Sequence, residues 1–265
     1  LKYKANINIK DVDGNIPLHI ASSLGNSSTI KILLENNSNI NSKCIKYNNT
    51  PLYYASLHGK YNNVKVLLEN NANPNFKNFY NFTPLHISSY NGNLPIVSLL
   101  LKYNASVNIK DKDGNTPLNY SVIDSGGNEQ IVKKLIQYKS SVNTKDYNKY
   151  TPLHTVSLIG KIPIAKILID NKANINVKNE IGETPLLLSV RYNEKEDMFK
   201  YLINNGAKFN NINSFLFFCI LSNNISVIKY IIKNYNINKD YIIDKNLIDY
   251  AKLHKRKEIL KLLKN

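Results

Sequence analysis

The tripeptide Thr50-Pro51-Leu52 returns along this chain at an almost fixed interval, and that interval constrains the fold more than any other feature. It recurs as Ile16-Pro17-Leu18, Thr83-Pro84-Leu85, Thr116-Pro117-Leu118, Thr151-Pro152-Leu153 and Thr184-Pro185-Leu186, with the prolines stepping by 34, 33, 33, 35 and 33 residues. A period near 33 residues marks an array of like supersecondary units, each too small to bury its own apolar face and each completed by its neighbours. A single-core globule is excluded, and the count that matters is of repeats.

The third copy serves as the type. Asn78 to Phe82 reads as a turn. Thr83 to Tyr90 reads as a short helix, with Pro84 just inside a threonine able to cap it, where a missing N–H does no harm. Gly92-Asn93 breaks the chain, and Pro95 to Leu101 carries the apolar spacing of a second helix. The segment from Ala105 to Gly114 alternates and ends in Asp113-Gly114, a tight-turn dipeptide also found at Asp13-Gly14, so it should project as a hairpin. Elsewhere the tip is Tyr47-Asn48, Tyr80-Asn81, Asn148-Lys149 or Ile181-Gly182; all but the lysine version hold Gly or Asn where a positive φ is expected.

Asp13-Gly14-Asn15-Ile16-Pro17-Leu18-His19-Ile20-Ala21 and Asp113-Gly114-Asn115-Thr116-Pro117-Leu118 resemble the ankyrin repeat signature. The resemblance implies an all-α fold, a curved solenoid of stacked helix-turn-helix units with projecting β-hairpin loops. It divides the chain into the tail of a truncated N-terminal repeat (1–10), six well-matched repeats (11–209) and two degenerate repeats that include a C-terminal cap (210–265). Residues 1–8 match the end of a later repeat, Leu101 to Asn108, as expected for a piece of a longer array. The glycine that closes the second helix in the family is kept at Gly206, replaced by Asn37, Asn71 and Asn104, and occupied at some cost by Lys139 and Lys172. Enlarged loops are expected around Ser125-Gly126-Gly127 and within Asn193 to Asp197.

The chemistry of an enzyme is missing. His19, His86 and His154 occupy one repeat position about 33 residues apart and cannot converge on a metal or a nucleophile. The resemblance implies that each braces a hairpin by hydrogen bonds. His58 and His254 have no acidic or cysteine partner spacing, and no phosphate-cradling glycine loop or paired carboxylate occurs. No enzyme, cofactor or metal is expected on this segment. The stripes Ile30-Ile32-Leu33-Leu34, Val64-Val66-Leu67-Leu68 and Ile164-Ile167-Leu168 are expected core. Asn41, Asn75, Asn108, Asn143 and Asn176 stand where ankyrin asparagines can be hydroxylated, but without the acidic residue that precedes them there; as residues they read as turn-stabilising. Cys44 and Cys219 are far apart and without a CxxC spacing, which fits a reducing, cytoplasmic setting (of a host, or its nucleus, were the source a virus or parasite). No run approaches the roughly 18 apolar residues of a membrane helix.

Formal net charge is +16 with a pI near 9.6, which favours an acidic partner. Of the 35 basic residues only Arg191 and Arg256 are arginine. Abundant Lys, Asn, Ile and Tyr are also what A/T-rich codons supply, and phosphate recognition favours arginine's planar fork. In ankyrin repeats the partner meets the hairpin tips and the exposed side of the first helix. Those positions are here Lys46, Tyr47, Asn49, Leu57 and His58; Phe79, Tyr80, Phe82, Tyr90 and Asn91; Lys112, Asp113, Asn115, Ile123 and Asp124; and Tyr147, Lys149, Tyr150, Leu158 and Ile159. Exposed Tyr and Phe anchor protein interfaces through large buried area at low entropy cost. Two function classes follow: a monomeric scaffold that grips another protein, with an acidic surface, on the concave face, and a nucleic-acid or anionic-surface binder using the Lys/Tyr strip. Arrays of this composition are similar to those of poxviruses, intracellular bacteria and A/T-rich protists, which implies host capture or an adaptor role.

Overall fold

The computed structural model describes residues 6–123, 128–191, 196–209, 211–235 and 245–264. Asp124, the Ser125-Gly126-Gly127 loop and residues 193–195 of the second expected loop lie outside them. The chain divides into two compact units, Leu1–Tyr147 and Asn148–Asn265.

Among the described residues of the first unit eight helices form four pairs: α1 (Pro17–Leu24) with α2 (Ser27–Glu35), α3 (Pro51–Leu57) with α4 (Tyr61–Glu69), α5 (Pro84–Tyr90) with α6 (Leu94–Lys102), and α7 (Pro117–Ile123) with α8 (Glu129–Gln137). First helices pack on first helices, α1 to α3 to α5 to α7, and second helices follow as α2 to α4 to α6 to α8. The second unit holds α9 (Pro152–Ile159) with α10 (Ile162–Asp170), α11 (Pro185–Arg191) with α12 (Asp197–Asn204), α13 (Ile212–Leu221) with α14 (Ile225–Asn234), and α15 (Lys245–Leu253) with α16 (Lys257–Lys264). There α9, α11, α13 and α15 form one row. The described residues are all-α, with no strand among them.

The recurrent tripeptide builds the start of each first helix. Thr83 holds an extended backbone, φ −106° and ψ 166°, and Pro84 takes the first helical position. Thr50 Oγ1 accepts the Tyr53 N–H at 3.3 Å. The leucine that follows, Leu18, Leu52, Leu85, Leu118, Leu153 or Leu186, is almost wholly buried. Each such side chain contributes about 2 kcal/mol of apolar burial. Second helices bury Ile30, Val64 and Leu67, Ile96 and Leu100, Ile131 and Leu135, and Ile164 and Leu168. Ile32 departs from its expected place in the core. It is exposed, and Leu33 and Leu34 are half-buried: among the described residues α2 packs against α1 and α4, which do not cover this face.

Helix ends follow the residue types read from the sequence. Asn37, Asn71, Asn104, Lys139 and Lys172 have φ between 61° and 69°, and Gly206 has φ 91°. The hairpin tips Asn48, Asn81 and Lys149 also sit near φ 60°, beside Gly14, Gly114 and Gly182. A lysine in the left-handed region carries the Cβ–carbonyl clash that glycine avoids.

The connecting segments close as tight turns. Asn78 N donates to Phe82 O at 2.9 Å and Asn81 N to Asn78 O at 2.9 Å, and the same pair of bonds recurs at Asp111–Asn115 and Asn179–Glu183. One acceptor, Asn78 Oδ1, takes the N–H of both Tyr80 and Phe82 at 2.9 Å; Asp111 Oδ1 does the same for Asp113 and Asn115. In the second copy the ring is one residue longer, Cys44 N to Asn49 O at 3.0 Å, which accounts for the 34-residue step, and buried Cys44 fills the place of the Asp or Asn.

Candidate protein-binding surface

Within the first unit each turn is tied to the next by a backbone bond at the same position. Ile45 N donates to Asp13 O at 2.9 Å, an acceptor that Lys46 N shares at 3.3 Å, Phe79 N to Tyr47 O at 3.0 Å, Lys112 N to Tyr80 O at 3.0 Å, and Tyr147 N to Asp113 O at 3.0 Å. The tips therefore stand side by side in fixed register. They carry Val12, Ile45, Tyr47, Phe79, Tyr80 and Tyr147, all exposed, with Tyr80 at 56% and Tyr147 at 67%. Lys46 Nζ lies 3.7 Å from Asp13 and 5.4 Å from the centre of the Tyr47 ring. Val12 and Ile45 are not among the contact positions expected from the sequence; their shared register with Phe79 and Tyr147 at the tips is the signal that marks them.

Four of the expected contact residues face inward instead. Asn49, Phe82, Asn115 and Tyr150 all precede the repeated tripeptide, on the returning arm of the turn. Asn49 is 6% exposed, its carbonyl accepts Cys44 N–H, and its side-chain oxygen accepts Asn78 Nδ2–H at 3.1 Å. Phe82 is half-buried, 5.3 Å from the His86 ring and 4.9 Å from that of Tyr120. The Asn115 carbonyl accepts His86 Nε2–H at 3.3 Å. Tyr150, in the second unit, donates to Glu183 Oε2 at 3.3 Å and lies 5.5 Å from His154. In Asn49, Phe82 and Asn115 the carbonyl closes its own turn, which directs the side chain toward the body of the unit.

The helix ends of the first unit add a second row. His58 is exposed and stacks parallel to Tyr54 at 6.5 Å. Tyr90 is exposed, 5.9 Å edge-on from Tyr120, and Asn91 Nδ2 donates to Leu57 O at 2.9 Å. Tyr54 and Tyr120 were missed by the sequence reading. Burial pushes the Tyr54 phenol up to about 12. Burial, and then the bond to Asp111, push that of Tyr120 higher still. Both hydroxyls stay protonated donors at physiological pH. In the second unit Lys149 and Ile159 are exposed.

The repeated histidines are bonded at both ring nitrogens. Thr83 N–H donates to His86 Nδ1 at 3.1 Å, so Nε2 carries the proton given to Asn115; His154 does the same between Thr151 and Glu183, and His19 between Ile16 and the carbonyls of Ser42 and Asn49. Asn119 fills this position in the fourth copy, its Oδ1 accepting Thr116 N–H at 3.1 Å. Burial holds the His19 imidazolium below its usual range and that of His86 down to about 4. Among the described residues no three His, Cys, Asp or Glu side chains gather as a metal ion requires. No described helix is long and apolar enough to cross a membrane.

Comparison with known families gives one result that agrees with this architecture. A family described as "Ankyrin repeats" matches in three copies, over residues 1–78, 73–146 and 123–213. No curated protein matches the chain significantly.

Proposed function

The chain belongs to the ankyrin-repeat family, whose repeats are generic protein–protein interaction modules, and from that premise we propose that the first unit holds a partner protein on its row of hairpin tips. The observation that supports this most directly is the continuity of exposed apolar tips, Val12, Ile45, Tyr47, Phe79, Tyr80 and Tyr147, locked in register by backbone bonds at each junction. Solvated turns gain nothing from large apolar side chains, whereas a rigid row of tyrosines gives an interface area without an ordering cost. Lys46 and Lys112 among them favour a partner with acidic groups near its apolar contacts. His58, Tyr90 and Asn91 at the helix ends extend the same surface, and Asn49, Phe82 and Asn115 support it from behind.

We read the protein as a scaffold rather than an enzyme. Cys44 and Cys219 are both buried free thiols, which favours a reducing, cytoplasmic setting. Host capture is the biological use that the composition favours.

A pull-down from cell lysate with the chain and with its Tyr80→Ala/Tyr147→Ala variant tests the surface. Both side chains are exposed, so the variant should keep its helical circular dichroism and melting while losing the captured protein. Retained capture refutes the assignment. Tight, sequence-selective oligonucleotide binding that survives moderate salt would replace the scaffold reading with nucleic-acid recognition.

A further inference from the structure

The second unit carries a cleft of about 390 Å³ lined by residues of α11, α13 and the two turns that precede them. That volume lies in the range of sites that take small ligands or peptide side chains. Its apolar lining includes Leu187, Phe209 and Phe218, each only half-buried. Lys178, Lys208 and Arg191 also line it.

The charges there do not cancel. Glu183 is buried, and its carboxylate accepts Asn179 Nδ2–H at 2.9 Å, the Tyr150 hydroxyl at 3.3 Å and the Arg191 guanidinium. Glu183 therefore neutralises and orients Arg191. Lys178 and Lys208 are exposed and form no ion pair among the described residues. The cleft is left with two uncompensated cations beside an apolar lining: Phe209 packs on one side against Phe199, Phe215 and Tyr235, and the part of Leu187, Phe209 and Phe218 that faces the cleft remains open to solvent, where an apolar group gains by being covered.

We propose that this cleft binds an acidic peptide segment, with a bulky apolar side chain against Leu187, Phe209 and Phe218 and flanking carboxylates at Lys178 and Lys208. Single-stranded nucleic acid fits less well: it needs cations that track a backbone over several nucleotides. Here one of the three cations is already held by a buried carboxylate. The site lies in the second unit and does not depend on the hairpin surface of the first.

Fluorescence anisotropy on the full chain tests it, with a fluorescein-labelled pentapeptide of alternating glutamate and leucine as the probe. Binding should saturate, and weaken about tenfold in Lys178→Ser/Lys208→Ser and again in Phe218→Ala. Counterpart peptides with lysine for glutamate, or alanine for leucine, should not bind. Exposed lysines are replaced without loss of fold, so unchanged circular dichroism of the double variant accompanies the expected result. Absence of saturation at millimolar peptide, unchanged affinity of the double variant, equal binding of the lysine peptide, or displacement by oligothymidylate of equal charge would each overturn the proposal. The Tyr80→Ala/Tyr147→Ala variant should bind the probe as the parent does; loss there would put the peptide on the hairpin tips and overturn the cleft.

Discussion

Tyr120 donates its hydroxyl to Asp111 Oδ2 at 2.6 Å, so the side chain of α7 is bonded to the turn that precedes its own helix. The other carboxylate oxygen of Asp111 already accepts the N–H groups of Asp113 and Asn115. Tyr120 in turn packs against Phe82 and Tyr90. Replacing Tyr120 by Phe keeps the ring contacts and removes only the bond, at a cost of about 1.5 kcal/mol for a donor to a charged group. The urea midpoint should fall with an unchanged slope; an unshifted midpoint would show that water replaces the phenol at no cost.

Asn75 joins consecutive repeats in the same economical way. Its Nδ2 donates to Asn104 O at 3.2 Å and its Oδ1 accepts Ser106 N–H at 2.7 Å. Asn108 and Asn176 repeat the arrangement one and three units on, which favours the turn-stabilising role over modification. Asn75→Ala should cost about 1 kcal/mol, since the freed groups are exposed and regain water. Amide hydrogen exchange should speed up at Ser106 in particular. Uniform acceleration across the first unit would instead mean that the bridge supports global stability.

Lys139 stands at φ 69°, where the corresponding residue of a later repeat is Gly206 at φ 91°. Lys139→Gly removes the left-handed strain while loosening the unfolded chain, and the net gain should be about 0.5 kcal/mol. Lys172, also at φ 69°, should respond alike. A lower melting temperature for both variants would show that the lysine stems cover apolar surface worth more than the strain.

What the sequence disclosed was everything governed by a residue's own backbone or its place in the period: the helix starts at Pro51 and Pro84, the left-handed ends at Asn104 and Lys139, the bracing histidines. The differences arise where a fold-back decides the outcome. Asn49, Phe82 and Asn115 sit inside because each stands on the returning arm of its turn, where its carbonyl accepts the N–H that closes the turn. Tyr120 and Asp111 lie nine residues apart, and only the returning arm of the turn brings them together. Glu183 and Arg191 likewise meet by helical periodicity across a turn, a pairing that the tripeptide ruler does not mark.

His86 sets a pH dependence whose sign is fixed by its bonds. Burial holds its ionisation near 4, below the ordinary 6.5, with Asp111 opposing that shift and Lys77 adding to it. The neutral ring is required because Nδ1 accepts Thr83 N–H. As pH falls the unfolded chain therefore takes up a proton first: stability is complete above about 6.5 and is lost between about 6.5 and 4, by roughly 3 kcal/mol for this group. Asn119 shows that an amide can replace the imidazole at this repeat position. His86→Asn should thus cost about 1 kcal/mol at pH 7, where the bond to the Asn115 carbonyl is lost. It should also be less sensitive to acid, so that the urea midpoints of variant and parent cross at about pH 6 and the variant is the more stable by about pH 4.5. His19 shifts in the same direction and remains in the variant, so the slope should diminish without vanishing. Parallel midpoints from pH 7 to 4.5 would show that His86 is not the group that titrates.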